Sequence, residues 1–215
     1  MHGTGTFVWA NKDRYEGDFV EGRRVGMGQF TWASGAQYSG QFQDGLMHGQ
    51  GIYRWLDGRT YTGQFVRGAK HGEGRLAWSN GNQYHGQFVD DQRSGDGVFF
   101  WRDGTIYRGT FIDGKMDGWG VKRTAEGQRE LQQWQLGTLV QTKTIREYPR
   151  CRFTFRERAW MVESNECING LAHGRGIAAS LDGDLVIAEA RFVLGRLVSG
   201  EPRVLPTAGI ELDQG

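Results

Sequence analysis

Tyrosine recurs at positions 15, 38, 61, 84 and 107, each 23 residues after the last. A fixed interval held over five copies is the mark of a fold that itself repeats, because each unit must present the same residue to the same neighbour. The rest of the unit keeps step. Gly17, Gly40, Gly63, Gly86 and Gly109 stand two residues after each Tyr, and Phe19, Phe42, Phe65, Phe88 and Phe111 two further on. Gly22, Gly45, Gly68 and Gly114 follow, with Asp91 in the fourth copy. Then come Gly-x-Gly pairs, from Gly26/Gly28 to Gly118/Gly120, and the series Trp32, Trp55, Trp78 and Trp101.

The spacing of two inside each unit is the strand period, so Tyr15, Gly17 and Phe19 share one face. Each unit therefore reads as a hairpin, turned over the Gly22-to-Gly26 segment and turned back at Gly35, Gly58, Gly81 and Gly104. Glycine inside a strand costs entropy and packing. Its alternation with large rings on one face implies that each Gly leaves a notch for an aromatic side chain, the rings forming a ladder. On the other face Val66, Val89, Val98, Phe100 and Ile112 are apolar, which predicts a cover there from the C-terminal segment or a partner.

Composition sharpens this. The chain of 215 residues has 35 glycines and 3 prolines, with 26 of the glycines in residues 1–127. Repeat composition thus ends near Gly127. Hydrophobic residues make up only 38%, against 27 aromatics (8 Trp, 7 Tyr, 12 Phe), so the core is thin and aromatic. A net charge of +1 gives no global basicity for nucleic acid. There is no apolar run of 18 residues and no signal-like start, which predicts a cytoplasmic chain. The array starts in mid-repeat, suggesting a trimmed N-terminus. Cys151 and Cys167 allow one optional bridge.

The run Tyr38-Ser39-Gly40-Gln41-Phe42, Gly45-Leu46-Met47-His48-Gly49-Gln50-Gly51, Trp55-Leu56-Asp57-Gly58 resembles the Membrane Occupation and Recognition Nexus (MORN) repeat, and Tyr61 to Gly81 matches equally. Val25, Ser94 and Asp117 replace the motif histidine in three copies. The resemblance implies an all-β fold, an elongated, twisted antiparallel sheet of successive hairpins, found as a non-catalytic module in junctional, cytoskeletal and lipid-kinase-associated proteins. The expected array spans 1–138: a half repeat at 1–14, repeats starting at 15, 38, 61, 84 and 107, and a degenerate one from 130, where Glu130, Trp134 and Gly137 hold the Tyr, Phe and Gly positions. Residues 139–215 read as an insertion, at about 139–165, followed by decayed repeats around Asn169-Gly170, His173-Gly174 and Gly195, together acting as a cap. Within the insertion, Arg152, Thr154 and Arg156 alternate with Phe153 and Phe155, a strand pattern that could equally turn helical toward Trp160.

Chemistry-bearing constellations are weak. His2, His48, His71 and His173 recur by register, but successive repeats lie two strands, roughly 9–10 Å, apart, too far for two ligands on one zinc at about 2 Å each. A turn histidine bonding backbone is the plainer reading. The Gly-x-Gly pairs lack the Lys-Ser/Thr and helix of a phosphate loop, and no serine sits in a nucleophile elbow. No catalytic residue, metal site or cofactor is expected.

Two surfaces remain. One is an aromatic groove lined by Tyr38, Trp55, Tyr61, Trp78, Tyr84 and Trp101, suited to a protein or peptide partner. The other is the cluster Arg146, Arg150, Arg152, Arg156 and Arg158, suited to acidic lipid, against which stands internal pairing with Glu163, Glu166, Asp182, Asp184 or Glu189. The leading expectation is a non-catalytic protein-interaction scaffold. Alternatives are a peripheral membrane adaptor and a targeting module of a larger assembly or enzyme. Edge strands at Phe7–Trp9 and near the C-terminus invite self-association.

Overall fold

The hairpins are set by two-residue turns in which both central residues take positive φ: Glu21-Gly22 (52° and 77°), Asp44-Gly45 (50° and 82°), Arg67-Gly68 (48° and 89°) and Asp90-Asp91 (45° and 71°). That geometry matches the right-handed twist of the flanking strands, and Gly or Asp adopts it at least cost. In a computed structural model describing residues 2–146 and 151–207, the chain is all-β and forms two compact units, 1–102 and 103–215.

The first unit holds β1 (Gly3–Val8), β2 (Arg14–Val20), β3 (Arg23–Thr31), β4 (Gln37–Gln43), β5 (Leu46–Arg54), β6 (Thr60–Val66), β7 (Ala69–Ala77), β8 (Gln83–Val89) and β9 (Gln92–Phe100). They follow chain order and are antiparallel throughout. The expected turn over Gly22 to Gly26 is corrected. Residues 21 and 22 alone reverse the chain, and Gly26 (φ 60°) lies inside β3, opposite a register shift between Gly17 and Asp18. That bulge recurs between Gly40 and Gln41 and between Gly63 and Gln64.

Register explains the glycines. Gly17 pairs Gly28, Gly28 pairs Gly40, and the row continues through Gly51, Gly63, Gly74, Gly86 and Gly97. Over this bare strip lie the tyrosines of the same repeats. A Cβ on Gly17 would stand 2.6 Å from the Tyr15 hydroxyl, and one on Gly28 2.5 Å from its Cε2. Each ring reaches across its own two glycines, so the notch is shared between a residue of the same strand and one of the next.

The rings then meet edge to face. Tyr15, Phe42, Tyr38, Phe65, Tyr61, Phe88 and Tyr84 form an unbroken series with centroids 5.0 to 5.3 Å apart and planes at 82° to 89°. This is the preferred aromatic geometry, adding about 0.5–1.5 kcal/mol per pair beyond area burial.

The second unit continues the pattern with β10 (Ile106–Ile112), β11 (Lys115–Arg123), β12 (Arg129–Gln135) and β13 (Thr138–Thr144), so its hairpins run past residue 138. Where Glu130 replaces the tyrosine, the glycine position becomes the buried Gln132, whose Nε2 donates to Glu130 Oε2 at 3.0 Å and whose Oε1 accepts from Trp134 Nε1 at 3.2 Å. Without a ring above it, the strand no longer needs glycine there.

A second sheet holds β14 (Trp160–Ile168), β15 (Leu171–Ser180), β16 (Leu185–Val193), β17 (Arg196–Ser199) and β18 (Arg203–Val204). It keeps the repeat's frame: Asn169-Gly170 is again a two-residue turn with φ 52° and 75°, and Ser164 faces Gly176. Both its faces are buried. Met161, Ile177, Ala179 and Val186 pack on Val121 and Leu131, while Trp160, Val162, Ala178, Ile187 and Phe192 pack beneath Phe153. Within this unit the C-terminal segment thus covers the side opposite the rings. The cover is narrower than expected: within the same unit Ile112 stays 41% exposed.

The segment carrying Arg152 to Arg158 is neither strand nor helix. It holds single bridges at Arg152/Leu171 and Phe155/Arg158, with positive φ at Arg156 and Glu157. Cys151 and Cys167 form a disulfide that ties this segment to β14.

Candidate interaction surface

Beside the buried Tyr/Phe ladder runs a second, open one. Trp9 contacts Phe30 at 5.5 Å, Phe30 contacts Trp32 at 4.6 Å, Trp32 contacts Tyr53 at 5.1 Å, and Tyr53 contacts Trp55 at 4.4 Å. After Leu76 the series resumes with Trp78, Phe99 and Trp101 at 5.6 and 4.6 Å. All five tryptophans of this unit are half-buried. Each from Trp9 to Trp78 sits where a strand ends and is clamped by its backbone: Trp32 N–H donates to Ala36 O at 3.0 Å and Trp32 O accepts from Gly35 N–H at 2.8 Å. The same pair of bonds recurs at Trp55 with Arg59 and Gly58, and at Trp78 with Asn82 and Gly81.

Between the two ladders lies a row that the sequence reading did not single out. Arg24, Met47, Lys70 and Arg93 occupy one repeat position. The Arg24 guanidinium lies 4.8 Å from Phe30 and 5.6 Å from Trp9, the Lys70 ammonium 5.6 Å from Trp55, and the Arg93 guanidinium 5.8 Å from Trp78. Cations over ring faces are attracted by the quadrupole, more strongly as water is removed. Burial lowers the pKa of Arg24 and Arg93, though neither loses its charge near neutrality. Lys70 is fixed by Asp91, 2.5 Å away. Burial opposes ionisation of that carboxylate, but the Lys70 bonds outweigh it and hold the pKa low. The recurrence of basic residues at 24, 70 and 93 was the available signal.

The expected groove is therefore corrected in part. Tyr38, Tyr61 and Tyr84 are fully buried, at 0% exposure, and line nothing a partner can touch. Their hydroxyls are spent on backbone: Tyr38 to Gln41 O at 2.8 Å, Tyr61 to Gln64 O at 2.9 Å, Tyr84 to Gln87 O at 3.1 Å. Trp55, Trp78 and Trp101 remain at the surface, as do Trp9 and Trp32. Shallow depressions flank the strip, one lined by Trp9, Asp13, Arg24 and Phe30, another by Ser34, Tyr53, Trp55 and Leu56.

Of the arginine cluster, Arg146, Arg152, Arg156 and Arg158 lie among the described residues. Arg158 bridges Asp182 at 2.5 Å and Asp184 at 3.7 Å, as internal pairing required. Arg156 lies over Phe155 at 5.2 Å, and Arg152 and Arg146 are exposed. Arg150 lies outside the described residues. His48 and His71 stand in β5 and β7 rather than in turns, and His48 contributes its carbonyl, which accepts from the Tyr38 hydroxyl at 3.3 Å.

No curated protein matches the chain. Among solved structures, the SAS-4 (dCPAP) TCP domain of Drosophila melanogaster, in complex with a proline-rich motif of Ana2 (dSTIL), matches at 13% identity and a TM-score of 0.38, over 66% of this chain and 82% of that one. The MORN repeat model matches residues 1–14, 15–37, 38–58, 61–83, 84–106 and 107–129, more than half of the sequence, in the register that the tyrosines set, and the chain belongs to the MORN repeat family.

Proposed function

We propose that this protein is a non-catalytic interaction scaffold that offers the tryptophan strip of residues 9–101 to a protein or peptide partner. The half-buried state of five indoles, four of them on residues clamped through their backbone, carries the reading. Large apolar rings left at a surface mark contact sites, and rings already held by backbone bonds lose little freedom when a partner arrives. Trp and Arg are also the residues that dominate binding energy where they cluster.

The second sheet acts as a cap in this reading, since it buries the Val121 and Leu131 side of the hairpins in its own unit. Acidic lipid is not favoured, because Arg158 is already neutralised by Asp182. The test is affinity capture from native extract with wild type and with Trp55→Ala or Trp78→Ala, each checked for an unchanged far-UV spectrum. A partner retained by the wild type and lost from the folded variants is expected. Equal retention by both would refute the strip.

A further inference from the structure

The strip is a ruler, and its graduation selects a conformation. Successive tryptophans are separated by two strands, and hydrogen-bonded strands are spaced about 4.7–4.9 Å apart. The ring contacts agree: from Trp32 through Tyr53 to Trp55 the two legs are 5.1 and 4.4 Å, so the two indoles stand no more than about 9.5 Å apart. A peptide crossing the strands must bring an equivalent side chain to the same side at that interval, repeat after repeat.

Regular backbones differ in whether they can. An α-helix rises about 1.5 Å per residue, so seven residues overshoot by about 1 Å at every step and six fall short on the wrong face. A β-strand covers the distance in about three residues, but its side chains alternate, and every second contact would point away. Polyproline II has three residues per turn and a rise of about 3.1 Å, giving about 9.3 Å with each third side chain on one side. It alone matches both the length and the facing.

From this commensurability, which rests on the scaffold reading, we propose that the occupant is an extended proline-rich segment in the polyproline II conformation, one proline of each triplet against one indole. Exposed indoles are the surface such segments recognise elsewhere in protein chemistry. The charge complement follows from the row over the ring faces. Arg24 and Arg93 lie 5.6 and 5.8 Å from Trp9 and Trp78, while Lys70 beside Trp55 is already paired with Asp91, so acidic residues between the prolines suit the strip at Trp9 and Trp78 and basic ones do not.

The test uses the full chain and synthetic peptides of one length. One carries proline at every third position with glutamate between, one carries the same residues with proline at every fourth, and one replaces each glutamate by lysine. Affinity is read by indole fluorescence. The period-three acidic peptide is expected to bind roughly tenfold or more tighter than either other peptide, and Trp32→Ala with Trp55→Ala to remove that advantage. Should the alanine variant unfold, Trp55→Phe keeps the ring stack and is expected to weaken binding in the same order of peptides. Equal affinity for period three and period four overturns the proposal. Display selection of random peptides on the same protein separates the two readings. Selected sequences that need the indoles but show no three-residue period defeat the polyproline II proposal alone, and selections that bind wild type and alanine variant alike defeat the scaffold reading with it.

Discussion

The Tyr38 hydroxyl donates to the Gln41 carbonyl at 2.8 Å and to the His48 carbonyl at 3.3 Å, the two residues paired directly after the register shift between Gly40 and Gln41. In the first four repeats the tyrosine hydroxyl thus bonds to backbone beside the register shift. Tyr38→Phe removes that donor from the part-buried carbonyls, a loss of about 0.5–1.5 kcal/mol. Tyr107 is equally buried, yet its hydroxyl has no hydrogen-bond partner among the described residues. Tyr107→Phe is expected to be neutral or slightly stabilising. Urea unfolding of the two variants checks the contrast, and equal losses would show that the hydroxyl–carbonyl bond is not what the tyrosine supplies.

The glycine row makes a sharper demand. A Cβ on Gly51 would meet the Tyr38 ring at 2.5 Å (Cε2), and one on Gly40 would come within 2.5 Å of Gly51 Cα. Neither obstacle is the free end of a flexible chain. Gly51→Ala should displace the ring and break its contacts with Phe42 and Phe65, costing about 2–4 kcal/mol, in the range of severe overpacking. Gly5 in β1 belongs to the same row, but nothing lies within 4 Å of its added Cβ. Gly5→Ala should stay within about 0.5 kcal/mol of wild type. Thermal melts of both variants are the measurement.

Alkaline pH should dismantle the ladder in one step. Burial pushes the Tyr38 pKa up to about 12, with the His48 backbone bond partly offsetting it, and burial also raises Tyr61 and Tyr84. In the unfolded chain the phenol titrates near 10. A folded value above the unfolded one means that the neutral form is favoured by folding. The contribution is complete below pH 10 and lost as pH climbs through the folded value. Between pH 10 and 12, phenolate absorbance and loss of the far-UV signal should rise together. Phenolate appearing at pH 10 over an intact sheet would contradict the burial.

Much of this was legible in the residues, and the reasons are specific. The 23-residue interval fixed which side chains are equivalent, and alternation by two fixed which share a face, so Tyr15, Gly17 and Phe19 could be placed together from spacing alone. Depth was not legible. Tyr61 and Trp55 carry similar rings in similar alternation, yet one lies over bare glycine backbone and the other at the end of a strand, where only the turn beneath it supports the ring. Spacing also could not say that the turn ends at Gly22 while Gly26 makes a bulge, because both positions call for positive φ. The segment from Arg152 to Phe155 misled for a further reason: its alternation arises from Phe153 entering the core of the second sheet, with a disulfide and single bridges in place of a ladder.

The hairpin between β12 and β13 shows the turn rule strained. Leu136 holds the first position of its two-residue turn with φ 46°, beside Gly137 at 88°. A left-handed conformation costs an ordinary L-residue about 1–2 kcal/mol, and Asn much less. Little opposes the exchange, since Leu136 is 55% exposed and its N–H, which donates to Asp117 Oδ1 at 2.8 Å, is kept by any residue but proline. Leu136→Asn should therefore raise stability by about 1 kcal/mol, read as a higher urea midpoint at unchanged slope. Asp44→Asn, in a turn of the same geometry (φ 50°) already served by a tolerant residue, should change little. A lower midpoint for Leu136→Asn would mean that the leucine side chain packs against its neighbours strongly enough to outweigh the strain of its backbone.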